Sequence, residues 1–214
     1  MILNNAFEWL KELQLENIPN IPSKAMWCGY RSHPDYSLKF PWILKQLVDQ
    51  FQCRTYVEIG IAQAGGLEMM YDFLSEKNDF LIVGIDPLSG PPENKTVHNP
   101  IFNKKNIHLI REDSRKAISS LNSLLNDNKI DILIIDGDHS YDGAISDFNY
   151  YLPLVAQNGL IWFDDIAHEP GVNKAWYEIK SRNSDKYDWY DWGIGEIEGG
   201  SKVKGIDGAW IHKK

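Results

Sequence analysis

Residues 130–143, IDILIIDGDHSYDG, carry an apolar run into a knot of aspartate, glycine and histidine. Six residues dominated by isoleucine are too few for a helix of ordinary length, and β-branched side chains favour a strand. Apolar residues at successive positions imply burial on both faces, as in a parallel sheet. After His139 the period changes: Ala144, Ile145, Phe148 and Leu152 fall on one helical face. The stretch therefore reads as strand, polar turn, helix.

Working outward, the same unit recurs. TYVEIG (55–60), FLIVGID (80–86) and NIHLI (106–110) are expected strands upstream, and GLIWFDD (159–165) is one downstream. Helices are expected after the first, with Leu67, Met70, Tyr71 and Leu74 on one face, and after the third, with Ile118, Leu121 and Leu125. Ser114 is the expected N-cap of the latter. A further helix is expected over 171–182, and strands near 187–192 and 207–212. Strands alternating with helices give an α/β fold, a doubly wound Rossmann-like sheet with helices on both faces. The sheet should be mostly parallel, with an antiparallel C-terminal strand.

At the N-terminus, Ala6, Phe7, Leu10 and Leu13 suggest an amphipathic helix within 2–16, and a second helix is expected over 40–51. Residues 17–38 are rich in Pro, Ser and aromatics and read as an ordered loop or lid. The chain is then one compact unit of two parts: a helix and lid over 1–39, and the α/β domain over 40–214. The apolar face of the N-terminal helix permits either a cap on the site or a homodimer contact.

Bulk properties exclude several functions. A net charge of −8 without a basic stripe excludes general nucleic-acid binding, which requires clustered Lys and Arg. No stretch approaches the ~20 apolar residues of a membrane span. The N-terminal apolar pattern is broken by charges, unlike a secretion signal, so a soluble, cytoplasmic protein is expected. Cys28 and Cys53 show no metal-ligand spacing and read as reduced, structural thiols, with a single disulfide between them as the alternative. GxSxG, P-loop and HExxH motifs do not occur.

In an open parallel sheet, ligands bind beyond the carboxyl ends of the strands. Those ends are polar throughout: Glu58 and Gly60, Asp86, Asp113 and Ser114, Asp136 with Asp138 and His139, Asp164 and Asp165. Gly60, Gly65 and Gly66 allow close backbone approach to a ligand. Asp86 follows Gly66 by 20 residues, a spacing that suits an acid accepting from ribose hydroxyls. The five-residue step from Gly60 to Gly65 is not the dinucleotide fingerprint, so a nucleoside without a pyrophosphate fits better. Asp136, Asp164 and Asp165 should converge, because adjacent strands lie ~4.8 Å apart. Converging carboxylates repel one another unless a hard divalent cation such as Mg2+ neutralises them. His139 opens a helix, where the dipole should keep its imidazole neutral and available as a base. Turn chemistry is the plain alternative for each aspartate, and a tight strand–helix turn for the glycines.

The pattern YVEIGIAQAGG, VGIDP, REDS, IDGDHSY and GLIWFDDI resembles the class I S-adenosylmethionine-dependent methyltransferases over roughly 40–183. Within them it is most similar to metal-dependent O-methyltransferases of the macrocin and cephalosporin-hydroxylase-like group. The resemblance implies that Glu58, Gly60, Gly65 and Gly66 line the methionine end of S-adenosylmethionine. It implies that Asp86 holds the ribose, and that Asp113 and Ser114 flank the adenine. Asp136 would touch the cofactor and, with Asp164 and Asp165, ligate the metal, while His139 would be the general base and Asp138 a turn residue. Ala64 departs from the family, standing where many relatives have glycine. The implied activity is methyl transfer to a hydroxyl of a small molecule, a sugar or other natural product. Two alternatives stay open: a metal-independent methyltransferase of the same fold, and a non-catalytic nucleoside-binding protein.

Overall fold

A computed structural model describes residues 6–14, 17, 39–89, 93–191 and 208–214. The proposed lid over 17–38, with Cys28 in it, lies almost wholly outside them. In chain order the elements are α1 (Ala6–Glu12), α2 (Lys39–Phe51), β1 (Thr55–Ile59), α3 (Gly65–Leu74), β2 (Leu81–Ile85) and β3 (Ile107–Ile110). There follow α4 (Ile118–Leu125), β4 (Ile130–Ile135), α5 (Tyr141–Tyr151), β5 (Val155–Phe163), α6 (Pro170–Asn183), β6 (Tyr187–Asp191) and β7 (Ala209–Lys213). The Pro-rich loop after β2 also contains two short 3-10 helices, Glu93–His98 and Pro100–Asn103.

The seven strands form one sheet in the order β3-β2-β1-β4-β5-β7-β6. The four pairings among β1 to β5 run parallel, whereas β7 is antiparallel to both β5 and β6. Alternation along β4 divides the core. Ile132 and Ile134 face one apolar cluster with α1, α2 and α3, and Leu133 and Ile135 face another with α4, α5 and α6. Full burial of each such side chain stabilises the fold by roughly 1.5–3 kcal/mol relative to exposure. Asp131 is the polar interruption in this strand, and its carboxylate accepts from the backbone N–H of Arg54 and Thr55, at 2.8 and 3.0 Å. It thereby anchors the start of β1 beside β4.

Helix α1 belongs to the same core. Phe7 is buried and stacks on His212 of β7 with ring centroids 5.0 Å apart. Cys53 is a buried free thiol. Two expectations need correction. Strand β5 starts at Val155, four residues before the expected 159, because a 3-10 turn at Leu152–Leu154 delivers the chain directly into the sheet. Ser114 does not cap α4; the residue before that helix is Ala117, without a side-chain cap, and the Ser114 hydroxyl is engaged elsewhere.

Candidate active site

Backbone hydrogen bonds continue one residue beyond each strand and set the strand ends level. Gly60 N–H donates to Ile85, Asp86 N–H to Ile110, Asp136 N–H to Ile59 and Asp164 N–H to Ile135, all at 2.9–3.1 Å. The polar residues thus stand in a row along the carboxyl edge. The strand order changes direction between β1 and β4, which is where a doubly wound sheet opens a crevice.

A cleft of about 420 Å³ occupies that position. Gly60, Asp86, Asp113, Ser114, Asp136, Asp138, His139 and Asp165 are among its lining residues, with Ile59, Ile85 and Pro87 as apolar wall. Gly60 has φ +81°, and a Cβ there would lie 1.8 Å from the Asp136 carbonyl oxygen, so only glycine fits. Asp86 accepts from Ile61 N–H at 3.0 Å and Leu88 N–H at 2.7 Å, one bond per oxygen, which leaves each oxygen a further lone pair. Asp113 is held ionised, its pKa lowered to about 2, chiefly by the Arg115 guanidinium.

Glu58, Gly65, Gly66 and Asp164 lie outside the cleft lining. Glu58 is buried below the start of α3, where its Oε2 accepts from Tyr56 Oη–H at 2.9 Å. Burial, reinforced by Asp136 and Asp86, raises its pKa to about 8. Gly66 sits directly on it, with a Cβ position 2.4 Å from Oε2.

The acidic end of the cleft gathers a different trio from the three expected aspartates. Donor atoms of Asp136, His139 and Asp165 all lie within 4.8 Å of one another. His139 Nε2 is 3.2 Å from Asp136 Oδ1 and 3.5 Å from Asp165 Oδ2, while Nδ1 is 3.9 Å from Glu169 Oε1. Asp165 reaches this place from a left-handed backbone, φ 55°. Asp164 is not in the trio. Burial and the charges of Asp136 and Asp165 raise its pKa well above the ordinary carboxylate range. Asp136 is also raised, by burial, despite the histidine. The expectation of a neutral imidazole is overturned: the Asp136 hydrogen bond and the charges of Asp136, Asp165 and Glu169 raise His139 to about 9. A helix dipole at an N-terminus is weaker than three nearby carboxylates. Asp138 is a turn residue, its Oδ1 accepting from Ser140 N–H at 2.9 Å, and Ser140 caps α5 through Gly143 N–H.

Sequence reading missed three residues. Glu169, at the start of α6, carries no motif. Tyr56 is spaced like any inward-facing strand residue. Asp147 on α5 is only 1% exposed and raised to about 6, mainly by burial, yet on a helix an aspartate reads as solvated surface.

The two carboxylates of this trio are oxygen donors of the kind a hard cation takes, and they converge with the imidazole beside a cleft whose wall offers a carboxylate to hydroxyl groups. A methyltransferase domain family matches residues 57–166, which run from within β1 through β5 and include the row of strand ends. An uncharacterized protein of Acanthamoeba polyphaga mimivirus is 37% identical over 159 residues, 68% of this chain and 70% of its own. The O-methyltransferase NovP superposes with a TM-score of 0.62 at 14% identity, covering 83% of this chain and 81% of NovP. The Podospora anserina methyltransferase PaMTH1, bound to S-adenosylhomocysteine, gives 0.61 at 14%, covering 100% and 88%. MycE, solved with Mg, S-adenosylhomocysteine and mycinamycin VI, gives 0.56 at 17%, and the match spans 83% of this chain and 49% of MycE. At these identities the solved structures share the fold, while the matched family and the viral relative speak for descent. The chain belongs to the methyltransferase domain family.

Proposed function

We propose that this chain is an S-adenosylmethionine-dependent O-methyltransferase, assisted by a divalent cation such as Mg2+, that acts on a hydroxyl of a small molecule, a sugar or other natural product. One observation carries the reading: a nucleoside-sized cleft runs along the carboxyl edge and opens onto the Asp136, His139 and Asp165 trio. S-adenosylmethionine supplies a methyl group already activated on a sulfonium, so the chain's task is to align the acceptor and manage its proton. Asp86 would accept from the ribose hydroxyls, and Gly60 lets the backbone of the β1 turn come close. The acidic lining favours a cationic ligand.

Asp136 and Asp165 would hold the cation, which would lower the pKa of an acceptor hydroxyl. Asp164, the third expected ligand, lies outside this trio, and burial beside Asp136 and Asp165 holds its pKa well above the ordinary carboxylate range. With these carboxylates committed to a cation, the field that keeps His139 protonated is cancelled, and its ring can accept the hydroxyl proton. The proton is then held at His139, flanked by Glu169.

The test is transfer of a labelled methyl group from S-adenosylmethionine to glycosylated and phenolic acceptors, with and without EDTA. Turnover should require the cation and fall at least about 100-fold in Asp165→Asn, a loss in the range of one removed electrostatic stabiliser. Turnover that survives EDTA would leave the metal-independent reading in its place.

A further inference from the structure

Ser114 stands at the end of β3, and the sheet edge works as a ruler. In the order β3-β2-β1-β4-β5, a ligand whose reacting end lies over Asp136 and whose ribose reaches Asp86 brings its base to β3. Helix α5 grips Ser114 at two of its polar groups, the hydroxyl and the carbonyl. The Ser114 hydroxyl donates to Asp147 Oδ1 at 2.5 Å, and its carbonyl accepts from the Tyr151 hydroxyl at 2.7 Å. Asp147 and Tyr151 are four residues apart, on one face of α5. Asp147 Oδ2 has no hydrogen-bond partner among the described residues and lies beneath Gly137, 3.2 Å from where a Cβ would be. Neither methyl alignment nor the cation trio uses any of these contacts.

A serine hydroxyl has one proton and two acceptor lone pairs, and an ionised carboxylate has no proton to give. The bond to Asp147 therefore uses up the only proton of Ser114, and towards the cleft its oxygen can only accept. Asp113 beside it is likewise an acceptor, with Arg115 bound across its carboxylate. If Ser114 turned to donate into the cleft, Asp147 would lose its one side-chain donor. Oδ2 has no partner to compensate, and an unpaired buried carboxylate is costly.

We propose that Asp147, acting through Ser114, makes the β3 end of the cleft an acceptor-only wall that selects a purine bearing an exocyclic amino group over its 6-oxo counterpart. This rests on the reading of the cleft as the S-adenosylmethionine site. Asp147 is a positioning residue: it touches no ligand, and it fixes the hydrogen-bond polarity of the serine that does. An oxo group at that place would set lone pair against lone pair, and its rejection would come from the groups left unpaired.

The test is calorimetric titration of the full chain at pH 8 with S-adenosylhomocysteine and with its 6-oxo analogue, S-inosylhomocysteine. The wild type should prefer the amino ligand by about tenfold or more, the scale of one misplaced hydrogen bond. Asp147→Ala, with the serine hydroxyl free to rotate, should bring the ratio close to one, mainly by tighter binding of the oxo ligand. Should Asp147→Ala fail to fold by circular dichroism, Ser114→Ala decides: it should also close the ratio, by weakening the amino ligand. An unchanged ratio in Asp147→Ala, or in Ser114→Ala, would overturn the proposal. A wild type that binds neither ligand would instead sink the cofactor reading beneath it.

Discussion

His139 sits among Asp136, Asp165 and Glu169, and that company reverses what its place at the start of α5 would do alone. Its folded pKa is raised to about 9, from 6.5, so between those values the folded chain binds a proton that the unfolded chain releases. The stabilisation is complete below about pH 6.5 and is lost as the pH rises through about 9. In EDTA, the Tm of the wild type should therefore drop more steeply between pH 6.5 and 9.5 than that of His139→Gln. Glu58 and Asp164, also raised, contribute to both slopes, so the difference between the two proteins isolates the histidine. Equal slopes would mean that the carboxylates do not hold its proton in solution.

At the scale of elements, the turn from β1 into α3 shows how local strain is tolerated around a close backbone approach. Ala62 and Ala64 both have left-handed backbones, φ 43° and 66°, a conformation that costs a non-glycine residue on the order of 1 kcal/mol. Ala64, where the resemblance leads one to expect glycine, thus takes a backbone conformation that favours glycine. Side chains from the loop after β2 hold this turn: Thr96 Oγ1–H donates to the Ala62 carbonyl at 2.7 Å, and the Asn99 amide donates to Glu68 at 2.7 Å. Gly66 is constrained for another reason, since the Glu58 carboxyl fills the space where its Cβ would be. Alanine is the better helix former by about 1 kcal/mol, but here the overlap decides the sign. Gly66→Ala should destabilise the protein by about 1–3 kcal/mol in urea unfolding. A stabilised Gly66→Ala would show that Glu58 is not buried beneath α3.

For the molecule as a whole, the sheet joins two apolar clusters, and α1 seals one of them at its far edge. Phe7, 2% exposed against β7, ties the first helix to the last strand. Phe7→Ala should lower stability by about 3–5 kcal/mol, read as a lower urea midpoint with unchanged m-value. An unaffected midpoint would make α1 an appendage. The sequence made the parallel strands legible, because IDILII and GLIWF have no polar face to offer water. It also showed every acid at the strand ends, because the carboxyl edge is where apolar runs must stop. It could not show which acids meet. Asp164 and Asp165 are neighbours in the chain, yet a left-handed turn at Asp165 brings only one of them to His139 and Asp136. Nor could it show Asp147, whose burial depends on α5 lying over β3's end, a contact between elements remote in sequence.

The proposed function stands or falls with S-adenosylmethionine binding in the cleft at the carboxyl edge, with Asp86 on its ribose. Calorimetric titration of the full chain with S-adenosylhomocysteine tests it most directly. Binding should be saturable and one-to-one, and weakened at least about tenfold in Asp86→Ala by loss of hydrogen bonds to a charged group. Absence of binding to the wild type, or equal binding by Asp86→Ala, would contradict it.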